Sequence, residues 1–200
     1  RINFLIVFCS AVLVSWIFRE SSQKFFVFVA TITSVFLAIT IWSPDLFFKY
    51  VTTFIAALPT GIESNYYRAV AAGWVVFENY PSLGIGPGNF RYLCSSIVGA
   101  NLGLDCHNHP HNFYSQLLAE TGFIGFLSFV LAITSIVHYC WSQGRFNEQT
   151  VFQRVMWVIP FALFWPIKTN ADFFGQWNNI FLWSAVALAL AVVHNKPKGI

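Results

Sequence analysis

Three histidines stand at alternate positions in the stretch His107-Asn108-His109-Pro110-His111-Asn112. The imidazole is the side chain whose unperturbed pKa lies nearest working pH. A neutral ring can take a proton from a hydroxyl, as a general base does. In an extended segment, alternate histidines can also converge on zinc. Pro110 argues against that second chemistry, because it favours the first turn of a helix and so predicts a helix from about His111. On that helix Asn112, Gln116 and Glu120 form one polar stripe, since positions four apart share a face. His111 and Ser115 form a neighbouring stripe, while Phe113, Leu117, Leu118 and Ile124 supply the apolar side. Gly122 and Gly125 are small residues three apart, a spacing that lets another helix approach closely in lipid.

The elements that must position these groups are set by composition. Over 200 residues the chain is 56% hydrophobic, 19% aromatic and 10% charged, whereas soluble domains carry about 25% charged residues. The expected class is an all-α polytopic membrane protein with about five transmembrane helices. The net charge of +3 is small and divided among the loops, which argues for no nucleic-acid partner; membrane lipids are the expected surroundings. The chain opens on Arg1 without a signal-peptide pattern, so we expect a portion of a longer protein.

Apolar runs 2–18 and 25–42 predict two spans, placing two transmembrane helices in residues 1–42. Residues 43–110 are interrupted by Pro, Gly, Tyr, Asn and charges, and read as one long loop too polar to face lipid. Residues 111–200 hold three further spans. The first extends outward from His111 and crosses over about 122–141. The second covers 155–167 and carries Pro160 and Pro166, and the third covers 180–193; both are short enough to be kinked or re-entrant. Arg19, Lys24, Arg145, Arg154, Lys196 and Lys198 then share one side in short connections. The positive-inside rule makes that side cytoplasmic and the histidine side extracytoplasmic.

Within the loop, Ile62, Tyr66, Ala69, Val70, Gly73, Trp74 and Phe77 recur at helical spacing. They predict an amphipathic helix over 62–79 at the membrane interface. Thr60 and Glu63 fit a capping box at its start. Arg68 lies off the apolar stripe, either as a snorkelling cation or as a guanidinium clamp for phosphate.

Two motifs in this order resemble a known family. His111-Asn112, nine residues, Gly122, two residues, Gly125, preceded by His-Pro and including Glu120, is similar to the motif of the O-antigen ligase and O-antigen polymerase superfamily. That group also holds protein O-oligosaccharyltransferases. The run from Arg68 through Trp74 to Pro81-Ser-Leu-Gly-Ile-Gly-Pro-Gly-Asn-Phe90 resembles the segment that precedes it in the family. The resemblance implies a membrane glycosyltransferase that needs no metal or cofactor. Its donor would be a polyprenyl-diphosphate-linked glycan, and its acceptor a glycan, lipid or protein hydroxyl. The setting would be the extracytoplasmic face of the bacterial cytoplasmic membrane. His111 would be the base and Arg68 the diphosphate clamp. Arg1 matches weakly a second diphosphate-binding arginine, and Arg91 is a further cation beside the glycine turn. Asn112, Gln116, Glu120 and His109 would orient the base or bind substrate. Ligase, polymerase and protein transferase are not distinguished.

Other readings stay beside this one. Gly84, Gly86 and Gly88 can cradle phosphate through backbone amides, but they do not link a strand to a helix as nucleotide loops do. A structural turn is the expectation. Cys94 and Cys106 share the outer loop, where an oxidising compartment permits a disulfide that spacing alone does not establish. A transporter or flippase-like export component would show broken helices in matching halves, and a non-catalytic assembly protein would not need His111.

Overall fold

The computed structural model describes residues 41–56, 64–99, 103–144, 151–166 and 170–194, with isolated positions between 10 and 38. The first expected span, most of the second, Arg1, and the Thr60–Glu63 capping box lie outside the described residues. Among the described residues every element is helical and no strand occurs. In chain order these are α1 (Pro44–Ala56), α2 (Asn65–Asn79), α3 (Phe90–Val98), α4 (Phe113–Gly144), α5 (Val151–Arg154), α6 (Val158–Leu163) and α7 (Gln176–His194). Among the described residues two helices, Phe113–Gln143 and Gln176–His194, are long and apolar enough to cross a membrane.

The expected single loop of 43–110 therefore contains three helices. Of these, α2 begins three residues later than the amphipathic spacing suggests, because Ser64 caps it by accepting from Tyr67 N at 3.4 Å. Its buried face is made of small residues, Ala69, Ala72 and Gly73 with Val76, while Trp74 turns outward and donates to Glu78 at 2.7 Å. The reason is close approach. A Cβ on Gly73 would lie 2.1 Å from Ser115 Oγ and 3.1 Å from the Pro110 ring, so the side chains of Ser115 and Pro110 pack directly on the α2 backbone.

Helix α4 differs from expectation at both of its landmarks. It starts at Phe113, with Asn112 as its cap: Asn112 Oδ1 accepts from Tyr114 N at 2.9 Å and Ser115 N at 3.1 Å. His111 stays outside the helix in a left-handed conformation, φ 57°, a region where His is enriched among non-glycine residues. The helix is then broken at Gly122, with φ 65° and ψ −168°, backbone values that belong almost solely to glycine. Gly122 is approached not by another helix but by the turn at Pro81–Gly86. A Cβ there would sit 2.4 Å from Ser82 C and O. Gly125 is not an approach point either, since its nearest neighbour is Thr121 on the preceding turn.

The segment expected as the fourth span is likewise interrupted. Its described part consists of a turn at 155–157 and the six residues of α6, with Pro160 buried. It still returns the chain along α4. At one end Cys140 packs with Val155, Met156, Ala189 and Val193. At the other, Phe113, Phe164 and Phe173 cluster with Leu182 and Val186, and Phe113 meets Phe173 edge-on at 5.1 Å. Helix α7 then runs back beside α4. The result brings the start of α4, residues 164–166 and the turn at 170–175 to the same end as α2 and α3.

Candidate active site

A cavity of about 390 Å³ at that end is lined by Arg91, Cys106, His107, Asn108, His109 and His111. The His111 ring meets both of the others: His109 and His111 have centroids 4.4 Å apart, His107 and His111 5.4 Å, both edge-to-face. The loop that carries them is tied down on three sides. Cys94 and Cys106 form a disulfide between α3 and the residue before His107, the pairing that spacing left open. His111 O accepts from Asn170 N at 2.8 Å. His109 Nε2, which must donate to a carbonyl, reaches Asn170 O at 3.3 Å.

Burial lowers the His111 pKa below the ordinary imidazole value, and His109 and then His107 lower it further by repelling a second positive charge. At neutral pH the ring is therefore uncharged and open to a proton. The acid limb of a His111-dependent activity lies below the usual histidine range for the same reason. Replacing His107 and His109 together by Gln removes the repulsion but keeps the burial, which is the larger cause. The limb is then expected to move toward higher pH without reaching the value of a free imidazole. A pH–rate profile of the double variant that coincides with wild type would contradict this coupling.

The polar stripe is buried, with Asn112, Gln116 and Glu120 only 7%, 1% and 1% exposed. Beyond capping α4, Asn112 donates through Nδ2 to Pro166 O at 2.7 Å and to Tyr66 Oη at 3.0 Å. Glu120 accepts from Gly88 N and Phe90 N, both at 2.9 Å, and so caps α3. Gln116 donates to Asp172 Oδ1 at 2.7 Å and Glu120 Oε2 at 3.3 Å, and accepts from Phe173 N at 2.9 Å. All three point into the protein, away from the cavity that His111 lines.

The glycine turn lies against the break in α4. In a continuous helix Phe123 N and Ile124 N would bond Ala119 O and Glu120 O. Here Ile85 N bonds Ala119 O at 3.0 Å and Gly86 N bonds Glu120 O at 2.9 Å, while Phe123 N bonds Pro81 O at 2.8 Å and Ile124 N bonds Ser82 O at 3.4 Å. Two helical rungs are replaced by four bonds to the turn. A Cβ on Gly84 (φ 67°) would come within 2.4 Å of Glu120 C, so glycine is required for this insertion. The amides of Ile85, Gly86 and Gly88 thus have protein partners, in keeping with a structural turn.

The cations are placed differently from one another. Arg91 lines the histidine cavity and bonds Asp172 Oδ2 through Nη2 at 2.9 Å. Arg68 is not among the residues lining it. Its Nε bonds Asp105 Oδ2 at 2.9 Å and its Nη2 bonds Asn65 Oδ1 at 2.5 Å, and Asp105 directly precedes the disulfide-bonded Cys106. Sequence reasoning passed over Asp105, Asp172 and Asn170, and placed Tyr66 only on the stripe of the loop helix. The one signal available was scarcity, for the chain has only eight Asp and Glu residues, so each carboxylate beside an apolar segment is costly unless partnered.

A family model described as O-antigen ligase matches residues 1–130. The chain belongs to the O-antigen ligase family. The matched stretch includes the glycine turn, the histidine cavity and the break at Gly122, so the interlocked part of the structure is the family's part. Residues 170–194, with Asn170 and Asp172, lie beyond it. No curated protein and no solved structure matches. Membership in the O-antigen ligase family points to glycan transfer of the ligase or polymerase type.

Proposed function

We propose that this chain transfers a glycan from a polyprenyl-diphosphate carrier to an acceptor hydroxyl at the extracytoplasmic face of the bacterial cytoplasmic membrane. His111 acts as general base and arginines bind the diphosphate. The observation that carries this reading is the cavity itself, in which an uncharged His111 and the guanidinium of Arg91 face the same space. His111 Nδ1 or Nε2 takes the proton of the acceptor hydroxyl as its oxygen attacks the anomeric carbon. The bond from that carbon to the diphosphate oxygen breaks, with inversion, and polyprenyl diphosphate leaves. Its charge is stabilised by guanidinium groups. Arg91 lines the same cavity as His111. Arg68 contributes from beside the cavity, held by Asp105, and Arg1 is a further contributor in this reading. No metal or nucleotide is invoked.

In the same reading Asn112, Gln116 and Glu120 act by holding the base and its surroundings in place, and His109 borders the acceptor. The chain is multi-pass, with about five spans arranged so that the histidine side faces outward. The apolar faces of α4 and α7, with Phe123, Ile124, Leu131, Phe181 and Leu188 exposed, suit lipid or neighbouring spans.

The test is surface-glycan profiling in cells lacking the native gene and complemented with the full-length protein. Restoration of attached or lengthened glycan is expected, with polyprenyl diphosphate released. The band pattern then distinguishes a repeat unit, a lipid core or a protein as acceptor. Accumulation of lipid-linked glycan on the cytoplasmic side of uncomplemented cells, cleared by the protein, would instead mark a transporter and overturn the proposal.

A further inference from the structure

From a closed ring of contacts behind the cavity we infer that Asp172 is a positioning residue for Arg91, and that Arg91 so held is a diphosphate-binding group of the site. The inference rests on the transferase reading above. Arg91 is fixed from two directions. Its main chain is set by Glu120, which accepts from Gly88 N and from Phe90 N, the residue before it. Its guanidinium is set by Asp172 Oδ2. The two carboxylates are joined by one buried side chain, because Gln116 Nε2 donates to both Glu120 Oε2 and Asp172 Oδ1. The ring therefore runs from Arg91 through Asp172, Gln116 and Glu120 back to the start of α3.

Asp172 is itself immobilised. Its Oδ1 accepts from Gln116 Nε2 and from Phe174 N at 3.0 Å, and its main-chain O accepts from Asn178 at 3.3 Å. A carboxylate anchored in this way is a support and not a counter-ion waiting to be displaced. Among the described residues Arg91 bonds through one terminal nitrogen, and its side chain remains 39% exposed. A guanidinium has five donors, so the rest of its fork is free to meet phosphate oxygens in the bidentate manner that favours arginine. Replacement by Asn would turn an amide N–H₂ toward either Arg91 or Gln116, and each of these already donates. The guanidinium would then leave its place.

The experiment uses the full-length protein in lipid discs, with transfer measured at varied donor concentration and inorganic diphosphate as a competitive probe. Asp172→Asn is expected to raise the donor KM and the inhibition constant for diphosphate about tenfold, a typical effect of losing a positioned charge-assisted bond. The kcat is expected to change much less. In an Arg91→Ala background the same substitution should add nothing, and this non-additivity is a readout that a merely structural role for Asp172 would not produce. An unchanged inhibition constant, full additivity, or absence of inhibition of wild type by millimolar diphosphate would each overturn the inference. Tighter diphosphate inhibition in Asp172→Asn would overturn it too, since Asp172 would then be a competitor for Arg91. These results are separable from failure of the transferase reading, in which the wild-type protein itself would transfer no glycan.

Discussion

Replacing His111 by Gly is expected to lower glycan transfer by about 10²–10⁴-fold, the usual contribution of a positioned general base, while leaving the amount of folded protein unchanged. Glycine is the informative replacement because of the backbone. His111 sits at φ 57°, which costs an L-residue about 1–2 kcal/mol. Glycine relieves that strain and loses about 0.5–1 kcal/mol through the added freedom of its unfolded chain. The two effects nearly cancel. The main-chain bond from Asn170 N to His111 O needs no side chain and survives. Transfer and melting temperature should therefore separate, with the first lost and the second kept. Transfer within a few-fold of wild type would remove His111 from the role of base. A large drop in melting temperature would instead show that the ring contacts with His107 and His109 hold the loop.

The second large effect is expected on the fold. Gly122→Ala places a Cβ 2.4 Å from Ser82 C and O and 2.5 Å from Leu83 N, all backbone atoms held by the four bonds of the inserted turn. To strain at glycine-only dihedrals it adds overpacking, together roughly 4 kcal/mol. That is a large share of the stability of an ordinary domain. The turn would have to leave, exposing the amides and carbonyls on either side of residue 122 close to the hydrocarbon, where each unsatisfied group is expensive. Little protein should accumulate in the membrane, and what does should melt well below wild type. Gly88→Ala is the matched control, since Gly88 also has a positive φ of 76° but nothing within 4 Å of its added Cβ. It should cost only about 1–2 kcal/mol. Equal behaviour of the two variants would contradict the idea that the turn and helix are locked at residue 122.

Much of this was legible before any coordinates. Apolar content and run length place the chain in a membrane whatever its contacts, because burial of such segments is decided by solvent transfer. Pro110 marks a helix start within a few residues, through local sterics alone. The two motifs and their order point to the family.

Other features depended on residues far apart in the chain. Asn112, rather than His111, begins the helix, because its side chain can cap α4 while also reaching Tyr66 and Pro166. Periodicity puts 112, 116 and 120 on one polar stripe, and the resemblance implies that it orients the base or binds substrate; in the fold its groups bond partners as distant as Gly88 and Phe173. Helical spacing says which residues share a face and not what that face meets. The glycines at 84 and 122 read as a turn and a helix contact. Only their pairing shows one element filling a break in the other, since hydrogen bonds between main chains carry no side-chain signature. Arg91 rather than Arg68 borders the histidine cavity for the same reason. A cation's place is set by the carboxylates that hold it, here Asp172 and Asp105, and their positions follow from how the chain returns to the start of α4.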